Sequence, residues 1–231
     1  MQEAEHDGST FLQYVSRYRG IADHAGRASG SGTALWYSLD IDLVHAVFIN
    51  TETWILTAAQ QAAQLAWLRG DLAAVRRERT PWVVVFAHKI FDMDQLNITG
   101  IADAAMTAGA APPDLWFAGH RHAYYRYFAV DQRDGSRAYA CNNSDASVYT
   151  RCPAPVLVVS GAAGNVELNS QTCGTAPTAY LHTCSVNYGA GTLTVINASH
   201  ARWRWETAVP REGSDDPSYS DEFLILREVG G

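Results

Sequence analysis

The most informative segment of the sequence is Leu115-Trp116-Phe117-Ala118-Gly119-His120-Arg121-His122. Its first half is apolar and predicts a buried strand, and Gly119 lets the backbone turn where that strand ends. His120 and His122 follow at positions i and i+2, a spacing that places two side chains on one side of an extended segment. We therefore expect a buried strand that presents two imidazoles at its carboxyl end.

A second segment has the same form. Residues 82–87 are continuously apolar (Trp-Val-Val-Val-Phe-Ala), and His88 follows them directly. Such runs are typical of parallel strands buried on both faces, and sites in open α/β sheets form at the carboxyl ends of these strands. A single histidine there is more often a hydrogen-bonded structural residue. Because neutral imidazole is a common ligand of zinc and also suits iron, the three histidines together (His88, His120 and His122) predict a metal site.

The rest of the first half of the chain predicts an α/β layer architecture. Aromatic and β-branched content indicates two neighbouring strands over Leu35 to Asp42 and Leu43 to Asn50. An apolar stripe indicates a helix from Thr57 to about Arg79, and the arginines near its end are interpreted as a solvated basic end. A short alanine-rich helix is predicted around Ile101 to Ala108.

After His122 the pattern changes to β structure. Strands are predicted over residues 125–130, 137–141, 156–160, 192–196, 201–206 and 223–227. Asp134-Gly135 is a hairpin signal between the first two of them. Residues 161–164 (Gly-Ala-Ala-Gly) could in principle cradle phosphate, but they lack a lysine and the P-loop spacing, so they are interpreted as a tight turn.

The composition is that of a globular protein. The 231 residues are 47% hydrophobic and 18% charged, which excludes a disordered chain. A net charge of −7 and a pI near 5.5 argue against nucleic acid as a partner. No apolar run reaches the roughly 18 residues of a transmembrane helix, so no membrane span is expected. An anionic phosphate substrate would need local positive charge, which bound metals could provide.

Four cysteines lie in one loop-rich stretch: Cys141, Cys152, Cys173 and Cys184. Their even number is compatible with two disulfides, and local pairing (the first with the second, the third with the fourth) is the first choice among the three connectivities. A zinc site made of all four is the rival interpretation, but the long gaps between them leave no Cys-x-x-Cys pair. Disulfides are therefore predicted.

Glycosylation sequons begin at Asn97, Asn142 and Asn197. Together with disulfides, they predict a secreted, extracellular or vacuolar-lysosomal protein. The first residues carry neither a basic n-region nor an apolar h-region, so we expect the start of the protein to lie upstream of Met1.

The histidine segment also carries a family resemblance. Residues 119–126 (Gly-His-Arg-His-Ala-Tyr-Tyr-Arg) resemble the Gly-His-x-His-Ala-Tyr-Glu-Arg motif of purple acid phosphatases, within the calcineurin-like metallophosphoesterases. Residues 85–88 resemble their Val-x-x-His motif. Further segments match in the same order: 35–38, 67–68, 80–82, 161–165 and 188–191. The resemblance covers the chain from about Leu35 to the last strand.

The resemblance implies a fold and a division of the chain. The fold would be α/β, a partial calcineurin-like metallophosphoesterase β-sandwich flanked by helices and truncated at the N-terminus. Residues 1–34 would be an N-terminal loop segment, and residues 35–231 the C-terminal portion of the catalytic domain. The part from about 153 to 231 would be the C-terminal β region of the purple acid phosphatase type.

The resemblance also implies an acid phosphatase that hydrolyses phosphate monoesters. In that family a metal-bound hydroxide attacks phosphorus, while Fe(III) with Zn, Mn or Fe(II) neutralises the oxygens. Matched residue by residue, His88 and His120 correspond to ligands of the divalent metal, and His122 to a ligand of the ferric ion. Asn97 lies near the position of the family's substrate-facing histidines, and Tyr125 replaces the glutamate of the histidine motif.

Part of the family's site is not found in the sequence. The Asp-x-Gly, Gly-Asp-x-x-Tyr and Gly-Asn-His-Glu motifs supply the bridging carboxylate and the oxygen ligands, and none of them is identified in residues 1–231. No catalytic acid or base is assigned. Because two cations without anionic charge between them repel each other, we expect this chain alone to hold one divalent metal and to hydrolyse an aryl phosphate near background.

Two other functions stay open. One is a catalytically inactive phosphatase-like protein that binds phosphate or a protein partner. The other is a mononuclear zinc hydrolase, because three histidine ligands with an open fourth position build such a site. Upstream coding sequence and metal stoichiometry distinguish these possibilities, and the sequence leaves the oligomeric state open.

Overall fold

The computed structural model describes residues 11–90, 99–109, 112–131, 133, 138–139, 141, 147–150, 152–164, 173, 180–210, 212 and 217–227. Within these ranges the chain forms a large sheet of eight strands and a small sheet of four. The strands are β1 (Tyr37–Ile41), β2 (Val44–Phe48), β3 (Trp82–Phe86), β4 (Leu115–Ala118), β5 (Tyr124–Val130), β6 (Ala138–Tyr139), β7 (Val148–Thr150), β8 (Val156–Ser160), β9 (Leu181–Ser185), β10 (Tyr188–Val195), β11 (His200–Val209) and β12 (Ser220–Leu226). The helices are α1 (Leu12–Arg17), α2 (Arg19–Ile21), α3 (Ala58–Ala74) and α4 (Thr99–Thr107), with a π-helical turn at Ala22–Gly26.

The large sheet has a parallel centre. Its strand order is β1-β2-β3-β4-β8-β5-β6, and β9 pairs with β5 beside this path. Strands β2, β3, β4 and β8 run parallel, whereas β1 pairs antiparallel with β2 and β5 pairs antiparallel with β8. The small sheet has the order β10-β11-β12-β7. The predictions of two neighbouring strands over 35–50 and of parallel central strands are confirmed.

The continuous apolar sequence of the central strands follows from burial on both faces. Val83 and Val85 of β3 pack in a core cluster with residues of α3 and α4. The alternate residues of the same strand, Trp82 and Val84, pack in a second cluster with residues of the small sheet. The layers are therefore helices, large sheet and small sheet, and the predicted α/β layer architecture is confirmed.

Helix α3 begins where the sequence predicts a helix and ends earlier. The Thr57 hydroxyl oxygen accepts a hydrogen bond from the Gln60 N–H, and the Gln60 side chain accepts one from the Thr57 N–H. This reciprocal capping box satisfies two donors at the first turn. The helix ends at Ala74, and Val75 has extended backbone angles (φ −61°, ψ 125°).

The prediction of a solvated basic helix end is wrong for Arg77. Its guanidinium donates to the Asp114 carboxylate at 2.5 Å and to the Pro112 carbonyl at 2.7 Å. Asp114 also accepts from the Val83 N–H at 2.7 Å and pairs with Arg227 at 3.0 Å. Asp114 and Pro112 are distant from Arg77 along the chain, so only tertiary packing brings them together. The apolar pattern of the helix does not predict such contacts.

Three further features differ from the sequence predictions or lie beyond them. The segment 1–34, predicted as loop, contains α1, α2 and the π-helical turn within residues 12–26. Strands β7 and β9 were not predicted, because they are short and lack an alternating pattern. The Asp134-Gly135 turn lies outside the described residues, although β5 and β6 on either side of it pair antiparallel.

Among the helices in the described ranges, none is long and apolar enough to cross a membrane.

The disulfide predictions are confirmed. Cys141 is bonded to Cys152, and Cys173 to Cys184, which is the local pairing favoured from the sequence. Cys184 lies on β9, and Cys152 lies just before β8.

A buried histidine joins the first two strands to α3. His45 Nδ1 lies 2.7 Å from Asp40 Oδ1, and its Nε2 lies 3.0 Å from Asp71 Oδ2. Arg76 and Arg79 line the adjoining cavity. Burial by itself lowers the pKa of His45, but the hydrogen bonds and charges of Asp71 and Asp40 outweigh it, so the pKa lies above its ordinary value.

This contact predicts a pH-dependent stability. Because the folded-state pKa is raised, the stabilisation by His45 is complete below the unfolded-state pKa of about 6.5 and is lost as the pH rises through the folded-state pKa. Replacing His45→Gln should therefore lower Tm more at about pH 5.5 than at about pH 9. Thermal unfolding of both proteins at both pH values measures this. The exposed His200→Gln serves as control, and an equal loss at both pH values would contradict the prediction.

Candidate metal centre

Two of the predicted site histidines follow neighbouring parallel strands. His88 comes two residues after β3 and His120 two residues after β4. The strands pair in register, with Phe86 opposite Phe117. Beyond the strands, the Gly119 N–H donates to the His88 carbonyl at 3.1 Å. The carboxyl ends of β3 and β4 therefore bring His88 and His120 together, as the sequence predicts.

The two imidazoles are in direct contact. His120 Nδ1 lies 3.1 Å from His88 Nε2. The ring centroids are 4.9 Å apart and the ring planes are inclined by 72°. Two ring nitrogens this close together can both coordinate one cation.

Local burial keeps His88 in the form that binds metal. Burial lowers the pKa of His88 to about 4; the nearby Glu52 carboxylate opposes this shift, and His120 and Lys89 add to it. At neutral pH the His88 ring is therefore uncharged. A neutral imidazole has a lone pair available for coordination, which an imidazolium lacks.

The backbone at His120 is a turn, not an extended segment. Its φ is +58°, and the Arg121 N–H donates to the Gly119 carbonyl at 2.6 Å, which closes a γ-turn around His120. Such a turn with positive φ at a residue other than glycine is rare and strained, and strain of this kind clusters at functional sites. The expectation that His120 and His122 share one side of an extended segment is therefore wrong.

His122 is half-buried in the same loop. Across the described residues, no group of three or more His, Cys, Asp or Glu could hold a metal ion, so the structure does not bring His122 together with the imidazole pair. Its role as a ligand stays a prediction. Asn97 and Asn142 lie outside the described residues; Asn197 lies exposed in the β10–β11 turn, and its glycosylation also stays a prediction.

A third parallel strand adds polar residues that the sequence analysis missed. Asn50, Thr51 and Glu52 follow β2, next to His88. Glu52 pairs with the buried Lys89 at 3.3 Å, and the Lys89 N–H donates to the Thr51 hydroxyl oxygen at 2.9 Å. The sequence contains a signal for these residues, because they follow β2 in the same way that His88 follows β3. The carboxyl ends of neighbouring parallel strands lie side by side, so residues that follow them come together.

A cavity of about 350 Å³ opens beside His88. Its walls combine the residues after β2 with apolar and aromatic side chains from the start of the chain. The residues from that start are Phe11, Tyr14, Arg17 and Tyr18. The candidate site is therefore a half-open pocket with an imidazole on one wall and a guanidinium on another.

Comparison with known proteins shows which proteins this chain resembles. The protein-family model described as iron/zinc purple acid phosphatase-like protein C matches residues 154–220. Probable purple acid phosphatase 20 of Arabidopsis thaliana is 30% identical over 227 residues, which cover 95% of this chain and 47% of that protein. The chain is thus similar to purple acid phosphatases over nearly its whole length. Purple acid phosphatase 18 of the same plant is 28% identical over 93% of this chain and 44% of its own length. An acid phosphatase of Aspergillus ficuum is 24% identical over 94% of this chain and 41% of its own length.

The fold agrees with this relationship. The structure of a purple acid phosphatase from yellow lupin (Lupinus luteus) seeds matches with a TM-score of 0.61 and 20% identity, over 84% of this chain and 33% of that one. The α/β architecture of this chain is thus the fold of that purple acid phosphatase, and the predicted fold class is confirmed. The chain spans less than half the length of these relatives.

The described residues fit one part of the centre that the family implies. Purple acid phosphatases imply a binuclear iron/zinc-type centre. The facing imidazoles of His88 and His120 suit one divalent cation. Among the described residues, no carboxylate completes a group of three ligands with them. The described residues therefore offer two imidazole ligands to one divalent metal.

The position of the motif's glutamate is part of the core in this chain. Tyr125 is fully buried on β5 and packs in the cluster beneath the helices. The next residue, Arg126, is also buried and pairs with Asp221. The departure from the family motif at Tyr125 therefore places an aromatic side chain in the core.

Proposed function

We propose that this chain is the imidazole-bearing part of a metal-dependent acid phosphatase that hydrolyses phosphate monoesters. The contact between His88 and His120 at the ends of adjacent parallel strands carries the proposal. The names of the relatives, purple acid phosphatases and an acid phosphatase, support the reaction class. The same relatives favour it over a mononuclear zinc hydrolase.

His88, His120 and His122 are the proposed metal ligands, the first two for a divalent metal (Zn, Mn or Fe(II)) and the third for Fe(III). A metal bound there would neutralise charge on phosphate oxygens and lower the pKa of water. His88 is already uncharged at neutral pH, so it need not lose a proton before it binds metal. Asn97 is proposed to face the substrate.

The surroundings of His88 support a bound phosphate ester. Arg17 on the cavity wall offers a cation to phosphate oxygens, and the aromatic side chains beside it offer apolar surface to the rest of the ester. The buried Glu52–Lys89 pair fixes the backbone next to His88, because the Lys89 N–H is also bonded to Thr51.

The domain division and location follow the same proposal. Residues 35–231 are proposed as the C-terminal portion of the catalytic domain, with a C-terminal β region from about 153. Two disulfides support passage through the oxidising endoplasmic reticulum, and hence secretion or delivery to a vacuole or lysosome.

Metal titration tests the proposal. The chain should bind Zn²⁺, and His88→Ala or His120→Ala should each raise the Kd for Zn²⁺ more than about tenfold, because each removes a ligand. Inorganic phosphate should bind to the zinc-loaded chain and not to the metal-free chain. Isothermal titration calorimetry measures both equilibria.

His200→Ala is the matched control, because His200 is exposed on β11 and pairs with Ser199. Its Kd for Zn²⁺ should equal that of the unaltered chain. Equal Zn²⁺ affinity of all three variants would contradict the metal centre. Zinc binding without phosphate binding would contradict the phosphatase assignment.

A further inference from the structure

The loop after β8 lies against the loop 119–123, which joins β4 to β5 and carries His120 and His122; we call the latter the histidine loop. At Gly161 the two loops are too close for a side chain to fit between them. A Cβ atom placed on Gly161 would lie 2.0 Å from the carbonyl oxygen of Arg121 and 2.9 Å from its carbonyl carbon. Real Cβ atoms essentially never come within 3.0 Å of such atoms. Arg121 is the residue between His120 and His122. The observed histidine loop therefore requires glycine at position 161.

The strand order explains the close approach. Strand β8 lies between β4 and β5, with Val159 opposite Ala118 on one side and Ser160 opposite Tyr124 on the other. The loop 119–123 joins β4 to β5, so it must cross the carboxyl end of β8, where Gly161 follows. Because both flanking strands are held in the sheet, the loop cannot move aside without breaking strand pairing.

Hydrogen bonds hold the loop on both sides of the crossing. The Gly161 N–H donates to the Ala123 carbonyl at 3.2 Å, and the Gly119 N–H donates to the His88 carbonyl at 3.1 Å. Between these bonds lies the γ-turn with His120 at φ +58°. A strained turn persists only where its surroundings over-determine it. The β8 loop is one of these surroundings.

We propose that Gly161 is a positioning residue of the metal centre: the absence of a side chain lets the β8 loop press on Arg121 and hold His120 in its strained turn against His88. The inference deepens the proposed function and rests on it for the metal, whereas the positioning of the loop does not depend on the metal. The Gly-Ala-Ala-Gly segment would then act on the histidine loop, without cradling phosphate itself.

Gly161→Ala tests the proposal. The added methyl group should displace the carbonyl of Arg121 and separate His120 from His88. The Kd for Zn²⁺ should rise at least about tenfold, in the range seen when groups that orient metal ligands are removed. The visible absorption spectrum of bound Co²⁺ should also change, because it reports ligand geometry. Titration of both ions against the full chain measures this.

Gly26→Ala is the matched control. Its Cβ would lie 2.4 Å from the Thr33 carbonyl oxygen, in the segment before β1, so the clash is of the same kind. It should lower Tm while its Zn²⁺ affinity and Co²⁺ spectrum stay those of the unaltered chain. A loss of Zn²⁺ affinity equal to that of Gly161→Ala would show a general effect of destabilisation and overturn the proposal.

Two metal-free measurements separate this inference from the proposed function. Amide NMR signals of His120, Arg121 and Ala123 should shift in Gly161→Ala and not in Gly26→Ala, even if the chain binds no metal. If Gly161→Ala does not fold, hydrogen exchange in the unaltered chain decides: the Gly161 amide should be protected like the amides of β8. Unchanged loop signals, or a Gly161 amide that exchanges like an exposed loop, would overturn the proposal.

Discussion

Asp221→Ala is expected to lower the free energy of unfolding by about 3–5 kcal/mol, because it leaves a buried guanidinium without its carboxylate. Asp221 lies on β12 of the small sheet and accepts from Arg126 of β5 in the large sheet, at 2.6 and 2.7 Å. The Tyr124 hydroxyl donates to the same carboxylate at 2.6 Å. The side chains of Arg126 and Asp221 are only 4% and 9% exposed, so water cannot replace the lost partner.

The charge on Arg126 cannot be shed to relieve this cost. A guanidinium stays protonated in proteins even when it is buried, so Arg126 keeps its charge after Asp221 is removed. The guanidinium also donates to the Tyr149 hydroxyl at 2.9 Å and lies 5.0 Å from the centre of the Phe223 ring. These contacts keep it buried when the carboxylate is removed. The expected loss is a large part of the 5–15 kcal/mol of stability that is typical of a domain.

Urea denaturation of Asp221→Ala against Glu206→Ala measures the effect. Glu206 pairs with Arg204 at 2.5 Å on β11, but the two side chains are 58% and 53% exposed. An exposed pair contributes less than about 1 kcal/mol, so Glu206→Ala should change the urea midpoint little. A change of similar size in both variants would contradict the assigned role of the buried pair.

Gly191→Ala is expected to destabilise the protein by about 2–3 kcal/mol through overpacking. A Cβ on Gly191 would lie 2.0 Å from Cζ2 and 2.2 Å from Cη2 of Trp203. The Trp203 ring is buried, donates to the Tyr124 hydroxyl at 3.1 Å and packs on Phe117 at a centroid distance of 4.7 Å. Because these contacts fix the ring, it cannot withdraw without opening the core between the two sheets.

Gly70→Ala is the matched control for this prediction. Gly70 lies in α3, where a Cβ would meet no atom within 4 Å. Alanine is favoured over glycine in a helix by roughly 0.5–1 kcal/mol, so this variant should be slightly more stable than the unaltered chain. Thermal and urea unfolding of both variants check the opposite signs. A stable Gly191→Ala would mean that the tryptophan ring moves more readily than its contacts indicate.

The sequence by itself determined the local elements and several of their consequences. The continuous apolar runs before His88 and His120 specify strands buried on both faces, because each alternate residue needs an apolar partner. Histidines directly after such strands must lie at the sheet edge, which follows from the chain alone. The helix start at Thr57 is also a sequence-local feature, since its capping partner Gln60 lies three residues away. The cysteine spacing favoured the local pairs but left the two other connectivities open.

Only the tertiary structure decided which of these elements meet. The contact of His120 with His88 depends on β3 and β4 pairing side by side. The insertion of β8 between β4 and β5 brings Gly161 against the histidine loop and, with that loop's hydrogen bonds, encloses His120 in a strained turn. The Arg126–Asp221 pair joins residues 95 positions apart, and the Glu52–Lys89 pair joins the ends of two strands. Hydrophobic periodicity reports how a segment is buried but not which segment covers it, because pairing partners are selected by the packing of the whole core.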